Sequence, residues 1–308
     1  MAEAELIGVD WGTTSFRAYL IGADGAVMAR RESKAGILSV TNAAFRETLV
    51  AELGDWARLH GARPIVMSGM IGSRQGWREA PYVPCPAGLR EIAAALIEID
   101  GGPLGRIAIV PGLSIEADGI PDVMRGEETQ IVGTLVTVPS EPRSIVLPGT
   151  HSKWVEVRDG RITAFETYMT GEMFSAARDH TILGRLMGTT GADREAAFER
   201  GVEAGARSGA PGSLLHRLFS ARTLALFDRL PADDVASYLS GLLIGAELAD
   251  RGPQAKPILI VASESLAEYY RRAAAVIGLQ AELAPPDCVA AGHRAIARQA
   301  GLIGDPSR

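Results

Sequence analysis

The chain opens on apolar runs cut by turn residues. Leu6-Ile-Gly-Val-Asp10 stops at Asp-Trp-Gly, Phe16–Gly22 closes on Ala23-Asp24-Gly25, and Ala26–Ser33 follows. Apolar segments bounded by turn signals predict three consecutive β-strands, with Asp24-Gly25 turning a hairpin. Between Asn42 and His60 the spacing changes. Phe45, Leu49, Leu53, Trp56 and Leu59 recur every three or four residues, which predicts a helix. Residues 64–68 read as a buried strand, 69–88 as a glycine- and proline-rich loop, 89–99 as a helix and 106–110 as a strand. A loop that long inside a compact domain is usually functional. A helix is expected from Gly126 to about Val136, a short strand over 143–147, and a hairpin over 152–158 and 161–168 around Asp159-Gly160. Residues 171–250 read as mainly helical, with turns at 188–191, 209–212 and Pro231. A strand at 257–262 and helices over about 265–277 and 287–299 complete the pattern, with a frayed tail at 304–308. Each half opens with strands and a hairpin and then alternates helix and strand, without repeating at the residue level. The expected organisation is two α/β domains, 1–130 and 131–308, joined near 130–142, the second with a helical insert at about 171–250.

Composition narrows the class. The 308 residues are 47% hydrophobic and 22% charged, which suits a soluble globular protein and excludes a disordered, coiled-coil or collagen-like chain. No apolar run approaches the roughly 18 residues of a membrane span. The start, Met1-Ala-Glu-Ala-Glu5, lacks the charged-then-apolar pattern of a secretion signal, so a cytoplasmic location is expected. The balance of 31 Lys+Arg against 37 Asp+Glu gives a net charge of −6 and argues against a broad basic face for nucleic acid. Neither a nucleic-acid nor a membrane partner is therefore expected. Anion sites built from backbone N–H groups remain open. Cys85 and Cys288 are far apart and lack metal-ligand spacing, so neither a disulfide framework nor a structural zinc is expected. His151, His180 and His293 are also not at metal spacing and read as structural or peripheral. Glycine is abundant, 35 of 308 residues where about 7% is usual, which suggests turns where backbone approaches a ligand.

Four constellations carry chemistry. Asp10-Trp-Gly12-Thr13-Thr14 joins the first two strands. An acid, a glycine and two hydroxyls on a tight turn suit a Mg-bound phosphate, although an Asx-turn with surface threonines would explain the same residues. Gly149-Thr150-His151-Ser152-Lys153 enters the second hairpin and repeats the Gly-Thr turn, now with a lysine. It is not a Walker loop, whose spacing and following helix are missing. Two such turns, one from each half, could clamp a triphosphate. Asp122-Val-Met-Arg125-Gly126-Glu127-Glu128 lies between them, with both glutamates in the first turn of a helix. A carboxylate there could act as general base, and the choice among Glu127, Glu128 and Asp122 stays open; a plain acidic helix start is the alternative. Finally, Gly72-Ser73-Arg74-Gln75-Gly76-Trp77 follows a buried strand, where open α/β sheets bind ligands. Arg74 and Arg125 could fork onto a carboxylate and Trp77 could stack on a sugar, or the segment is a surface loop with a packed tryptophan.

Taken together, DWGTTSFRAYL, SGMIGSRQGWREAPY, DVMRGEETQIVG, LPGTHSKWVEV and TYMTGEMFSAARDHTILG resemble the 2-dehydro-3-deoxygalactonokinase family, densely over residues 6 to about 184 and more weakly beyond. That family belongs to the actin/hexokinase/Hsp70 superfamily. The resemblance implies two actin/hexokinase-like (ribonuclease H-like) α/β domains with an ATP cleft between them. It implies phosphorylation of 2-dehydro-3-deoxy-D-galactonate at its terminal hydroxyl, with ATP and Mg²⁺, in galactonate catabolism. Asp10, Gly12, Thr13 and Thr14 would meet the phosphates and the metal; Gly149, Thr150, Ser152 and Lys153 would meet them from the other domain. Gly72, Ser73, Arg74, Gln75, Trp77 and Arg125 would contact the sugar acid. The superfamily's base is usually Asp, so a glutamate here is a departure. The adenosine segment would follow the strand at 257–262, where Ala262-Ser263-Glu264-Ser265 lacks the usual glycine and leaves Ser263 as the expected contact. Rival readings are a kinase of another sugar or aldulosonic acid, a phosphate-cleaving hydrolase of the same superfamily, and a sugar sensor or actin-like assembly protein. A homodimer is compatible with all of them.

Overall fold

A computed structural model describes residues 3–138, 140, 144–188, 194–207, 213–254 and 256–304. The expected turns at 189–191 and 209–212, residue Arg143 of the expected strand at 143–147, and the tail beyond 304 lie outside these residues. The chain divides into two compact units: Met1–Glu141 with Glu156–Phe165 and Pro285–Arg308, and Pro142–Val155 with Glu166–Ala284. Residues 131–141, 156–165 and 285–308 thus cluster with the first unit.

The first unit begins with β1 (Ala4–Trp11), β2 (Phe16–Gly22), β3 (Val27–Ser33) and helix α1 (Phe45–His60), then β4 (Ile65–Ser68), β5 (Tyr82–Pro84), β6 (Ala87–Gly88) and α2 (Leu89–Ala94). It continues through β7 (Ile97–Asp100), β8 (Arg106–Ile109), β9 (Gly112–Ala117), β10 (Ile120–Met124) and α3 (Glu127–Thr137). Its main sheet runs β3-β2-β1-β4-β8-β7, antiparallel through β1 to β3 and parallel from β1 through β4 to β8. The helix expected over 89–99 ends early because Ile97-Glu-Ile-Asp100 alternates apolar and polar, a strand pattern, and pairs with β8. The expected loop at 69–88 contains β5 and β6, and the pattern did not expose the β9–β10 hairpin. Leu49, Leu53 and Trp56 of α1 pack on Val9, Trp11, Phe16 and Met67 in one apolar core.

The second unit holds β11 (Ser144–Leu147), the start of β12 (Ser152–Arg158) and the end of β13 (Arg161–Tyr168), and helices α4 (Thr170–His180), α5 (Glu195–Ala206), α6 (Ser213–Leu218), α7 (Ser220–Leu226) and α8 (Val235–Asp250). Strand β14 (Ile258–Ile260), helix α9 (Glu264–Val276) and β15 (Ala281–Leu283) follow. Strands β11, β14 and β15 run parallel. Helix α10 (Cys288–Gln299) returns to the first unit.

Glycine fixes two helix crossings. A Cβ at Gly133 of α3 would stand 1.6 Å from the Cys288 carbonyl oxygen, and one at Gly292 of α10 would stand 1.9 Å from that of Thr129. Backbone therefore lies directly on backbone, which only glycine permits. Helices α5 and α8 cross the same way through Gly201, Gly205, Gly241 and Gly245, each with a Cβ position 2.0–2.3 Å from an oxygen of the facing helix.

Candidate functional site

In the first unit the parallel register of β1 and β4 sets Asp10 beside Ser68, so the carboxyl ends of both strands open at one edge. Open α/β sheets bind ligands at such an edge. Gly69 follows with φ +92°, where a Cβ would stand 2.8 Å from the Trp11 carbonyl oxygen and 3.2 Å from Asp10 Oδ1. Gly126, φ +109°, approaches Gly69 from the other side; its Cβ would stand 3.2 Å from the Gly69 Cα. These two glycines let the start of α3 close onto the Asp10 turn. Three separate sequence constellations thus meet in one patch.

The Asp10 turn is braced from behind. Gly12 N–H donates to the Ser15 carbonyl at 2.9 Å, while the Gly12 and Thr13 carbonyls accept from Ile37 and Leu38 at 3.0 and 3.1 Å. Thr13 and Thr14 are left exposed. Burial raises the Asp10 carboxyl above its ordinary range, opposed by Arg17. Arg17 Nη1 lies 3.4 Å from Asp10 Oδ2. Arg17 escaped the sequence reading, although the β1–β2 register places it directly opposite Asp10. Among the described residues no cluster of three or more His, Cys, Asp or Glu gathers to hold a metal. One desolvated carboxylate with a single long charge partner fits Mg²⁺, which keeps several waters and takes the rest of its ligands from phosphate.

At the start of α3 the two glutamates differ. Glu128 is fully buried; its Oε2 accepts from Gly126 N–H at 2.6 Å and its Oε1 from Thr129 Oγ1 at 2.9 Å. Burial, aided by the charge of Glu127, pushes its pKa up to about 8. Glu127 is only half-buried, and its Oε2 accepts from Arg125 N–H at 3.0 Å. Asp122 lies further back on β10, its Oδ1 accepting from Val123 N–H at 2.7 Å.

Arg125 is the unusual cation. Its guanidinium lies 4.3 Å from the centre of the Tyr82 ring, and Nη2 donates to the Ala80 carbonyl at 2.8 Å. Its buried Nε and Nη1 have no hydrogen-bond partner. Gly72 makes room for Nη1, since a Cβ there would stand 3.0 Å away. Other members of the expected sugar segment are placed differently. Ser73 Oγ donates to the Met70 carbonyl at 2.7 Å, Arg74 is exposed and paired with Glu79 at 2.9 Å, Gln75 is exposed, and Trp77 packs against the core. Behind Gly69, Ser68 Oγ lies 2.9 Å from His293 Nε2 on α10, and burial lowers the His293 pKa to about 3.

In the second unit the Gly149-Thr150 turn packs on the start of α4. A Cβ at Gly171 would stand 2.3 Å from the Gly149 oxygen, and Glu172 N–H donates to the Thr150 carbonyl at 2.9 Å. Gly149, Thr170 and Gly171 line a cavity of about 350 Å³, together with Leu266, Tyr269 and Tyr270 of α9. Ser152 and Lys153 do not face it as expected. Both are buried; the Ser152 hydroxyl donates to Glu247 Oε1 at 2.7 Å and the Lys153 ammonium to Thr167 Oγ1 at 2.6 Å. Ser263 is exposed at the N-cap of α9, one turn before the cavity-lining residues.

A strand ending in an acid, Gly-Thr turns in both units and mixed sheets flanked by helices define an α/β protein of the actin/hexokinase-like class. The family model described as 2-keto-3-deoxy-galactonokinase matches residues 10–296. The 2-dehydro-3-deoxygalactonokinase of Escherichia coli (strain K12) is 36% identical over 299 residues, 96% of this chain and 98% of that one. A Rhizobium meliloti (strain 1021) protein named as a probable 2-dehydro-3-deoxygalactonokinase, DgoK1, is 38% identical over 299 residues, 94% and 95% of the two chains. A crystal structure from Sinorhizobium meliloti described under the same kinase name has TM-score 0.85 at 39% identity, covering 95% of this chain and 98% of that one. The chain belongs to the 2-keto-3-deoxy-galactonokinase family.

Proposed function

We propose that this protein transfers the γ-phosphoryl group of ATP to the terminal 6-hydroxyl of 2-dehydro-3-deoxy-D-galactonate, as a phosphotransferase of galactonate catabolism. Family membership supports the reaction. The observation that carries the substrate class is Arg125, a cation held under Tyr82 with two nitrogens unpaired. An unsatisfied buried guanidinium is costly, and a carboxylate supplies an acceptor and the counter-charge it lacks. A neutral sugar would leave its charge unmet.

Phosphoryl transfer needs positioning and charge neutralisation more than covalent chemistry. Asp10 is the residue to hold Mg²⁺, which when bound offsets charge on the β- and γ-oxygens. Thr13 and Thr14 offer hydroxyls and N–H groups to phosphate. Gly149 and Thr150, with the cavity behind them, suit the nucleotide. Glu127 is the general base we favour, because it keeps exposed surface to reach a hydroxyl whereas Glu128 has none. No helix among the described residues is long and apolar enough to cross a membrane.

The test is a coupled ADP-release assay with 2-dehydro-3-deoxy-D-galactonate, run beside its gluconate epimer, other aldulosonic acids and neutral sugars. Turnover confined to the acids is the expected result. Equal turnover of neutral sugars, or release of phosphate without an acceptor, refutes the reading.

A further inference from the structure

Glu247 sits on α8, 3% exposed, and no step proposed above uses it. A buried carboxylate is costly unless its lone pairs are filled. Here all are. Oε1 accepts from Ser152 Oγ at 2.7 Å and Trp154 Nε1 at 2.8 Å, and Oε2 accepts from Tyr270 Oη at 2.7 Å and from Thr170 Oγ1. The indole can only donate, and hydroxyls turn to suit. Four donors match the four acceptor positions of an ionised carboxylate.

Two of these donors belong to the wall of one cavity. Thr170 and Tyr270 line it together with Gly149 and Gly171, while Glu247 stays behind them. Ser152 and Trp154 open β12 directly after the Gly149-Thr150 turn. Thr170 opens α4, whose Gly171 rests on the Gly149 carbonyl. Tyr270 comes from α9. The glycine crossing of α8 on α5 fixes the depth at which Glu247 is presented. One side chain thus joins a turn, a helix start and a second helix around a single space.

We infer that Glu247 is a positioning residue for nucleotide binding: it holds the Gly149-Thr150 turn, the start of α4 and Tyr270 in the arrangement that receives a nucleoside di- or triphosphate. This rests on the nucleotide reading above. Glu247→Gln preserves shape but replaces one acceptor oxygen with a donor. Trp154 keeps the amide oxygen on its side, so the amide nitrogen faces Thr170 and Tyr270.

The experiment titrates Mg-ADP into the full-length wild type and the Glu247→Gln variant by calorimetry, with steady-state kinetics alongside. Expected are about tenfold weaker ADP binding and a matching rise in the ATP KM, or about 1.4 kcal/mol. The sugar-acid KM and the circular-dichroism spectrum should not change. Unchanged ADP affinity in a folded variant overturns the proposal, as does an equal rise in both KM values, which would mean general loosening. Should Glu247→Gln fail to fold, Tyr270→Phe and Thr170→Val each remove one donor; about threefold weaker ADP binding in each is expected, and no change in either overturns the proposal. A wild type that binds no ADP refutes the nucleotide reading itself, and the inference with it.

Discussion

Glu128 in the first unit and Glu247 in the second are both at most 3% exposed, yet they are satisfied in different ways. The donors of Glu247 come from β12, α4 and α9, up to 95 residues away in sequence. Those of Glu128 are its neighbours Gly126 and Thr129, and Glu127 adds repulsion. A carboxylate that ties elements together has every lone pair filled. Burial raises the pKa of both; at Glu128, short of donors and beside Glu127, it climbs to about 8, while the four donors of Glu247 oppose the rise. The first unit keeps its poorly partnered ionisable groups, Asp10, Glu128 and Arg125, in the sequence motifs of the candidate site; the second has used its buried carboxylate as a fastener.

The sharpest test of this contrast is Asp10→Asn. It should lower kcat by on the order of 10³, because the carboxylate that would hold the charge-neutralising Mg²⁺ is lost. Its melting temperature should hold, since a desolvated charge with one long partner adds little stability. Near-normal turnover would remove Asp10 from the phosphate site. Glu127→Gln should cost about 10²–10⁴ in kcat, the usual worth of a general base, while Glu128→Gln should retain most activity. The reverse order would move the base to Glu128. Arg125→Ala should raise the KM for the sugar acid about 10- to 100-fold and leave that for ATP alone. A defect confined to ATP would show that Arg125 is misassigned.

The smallest effect is on stability against pH. Glu128 titrates near 4.5 when unfolded and near 8 when folded. Between those values the folded protein holds a proton that the unfolded chain has released. The stabilisation from this group is complete below pH 4.5 and falls as pH rises toward 8, by up to about 1.4 kcal/mol per unit. Denaturant melts of the wild type and Glu128→Gln should therefore diverge across this window, the variant gaining relative stability at the alkaline end. Parallel curves would show that Glu128 is ionised in the folded protein.

Much of the architecture was legible because its signals are local. Strand β1, the hairpins and α1 follow from alternation, turn residues and three-to-four spacing. The β9–β10 hairpin was missed because Ile120-Pro-Asp-Val-Met124 is short and mostly exposed, so it carries little apolar pattern. The Gly-Thr turns, Arg125 and the acidic start of α3 were also visible, since each is a short run of unusual residues. Side-chain direction was not. Ser152, Lys153 and Trp77 looked available, but the first two are buried and Trp77 packs, partly buried, against the core of its own unit.

By itself, then, the sequence determined the α/β class, the two turns and the family, because periodicity and contiguous motifs are properties of neighbouring residues. Only the tertiary structure decided that Gly69 and Gly126 meet, that Arg125 lies under Tyr82 with nitrogens unpaired, and that Glu247 gathers four donors. Those contacts span from 23 to 95 residues for Glu247 alone. Hydrogen bonding and desolvation depend on what surrounds a group in space, and a linear pattern does not record it.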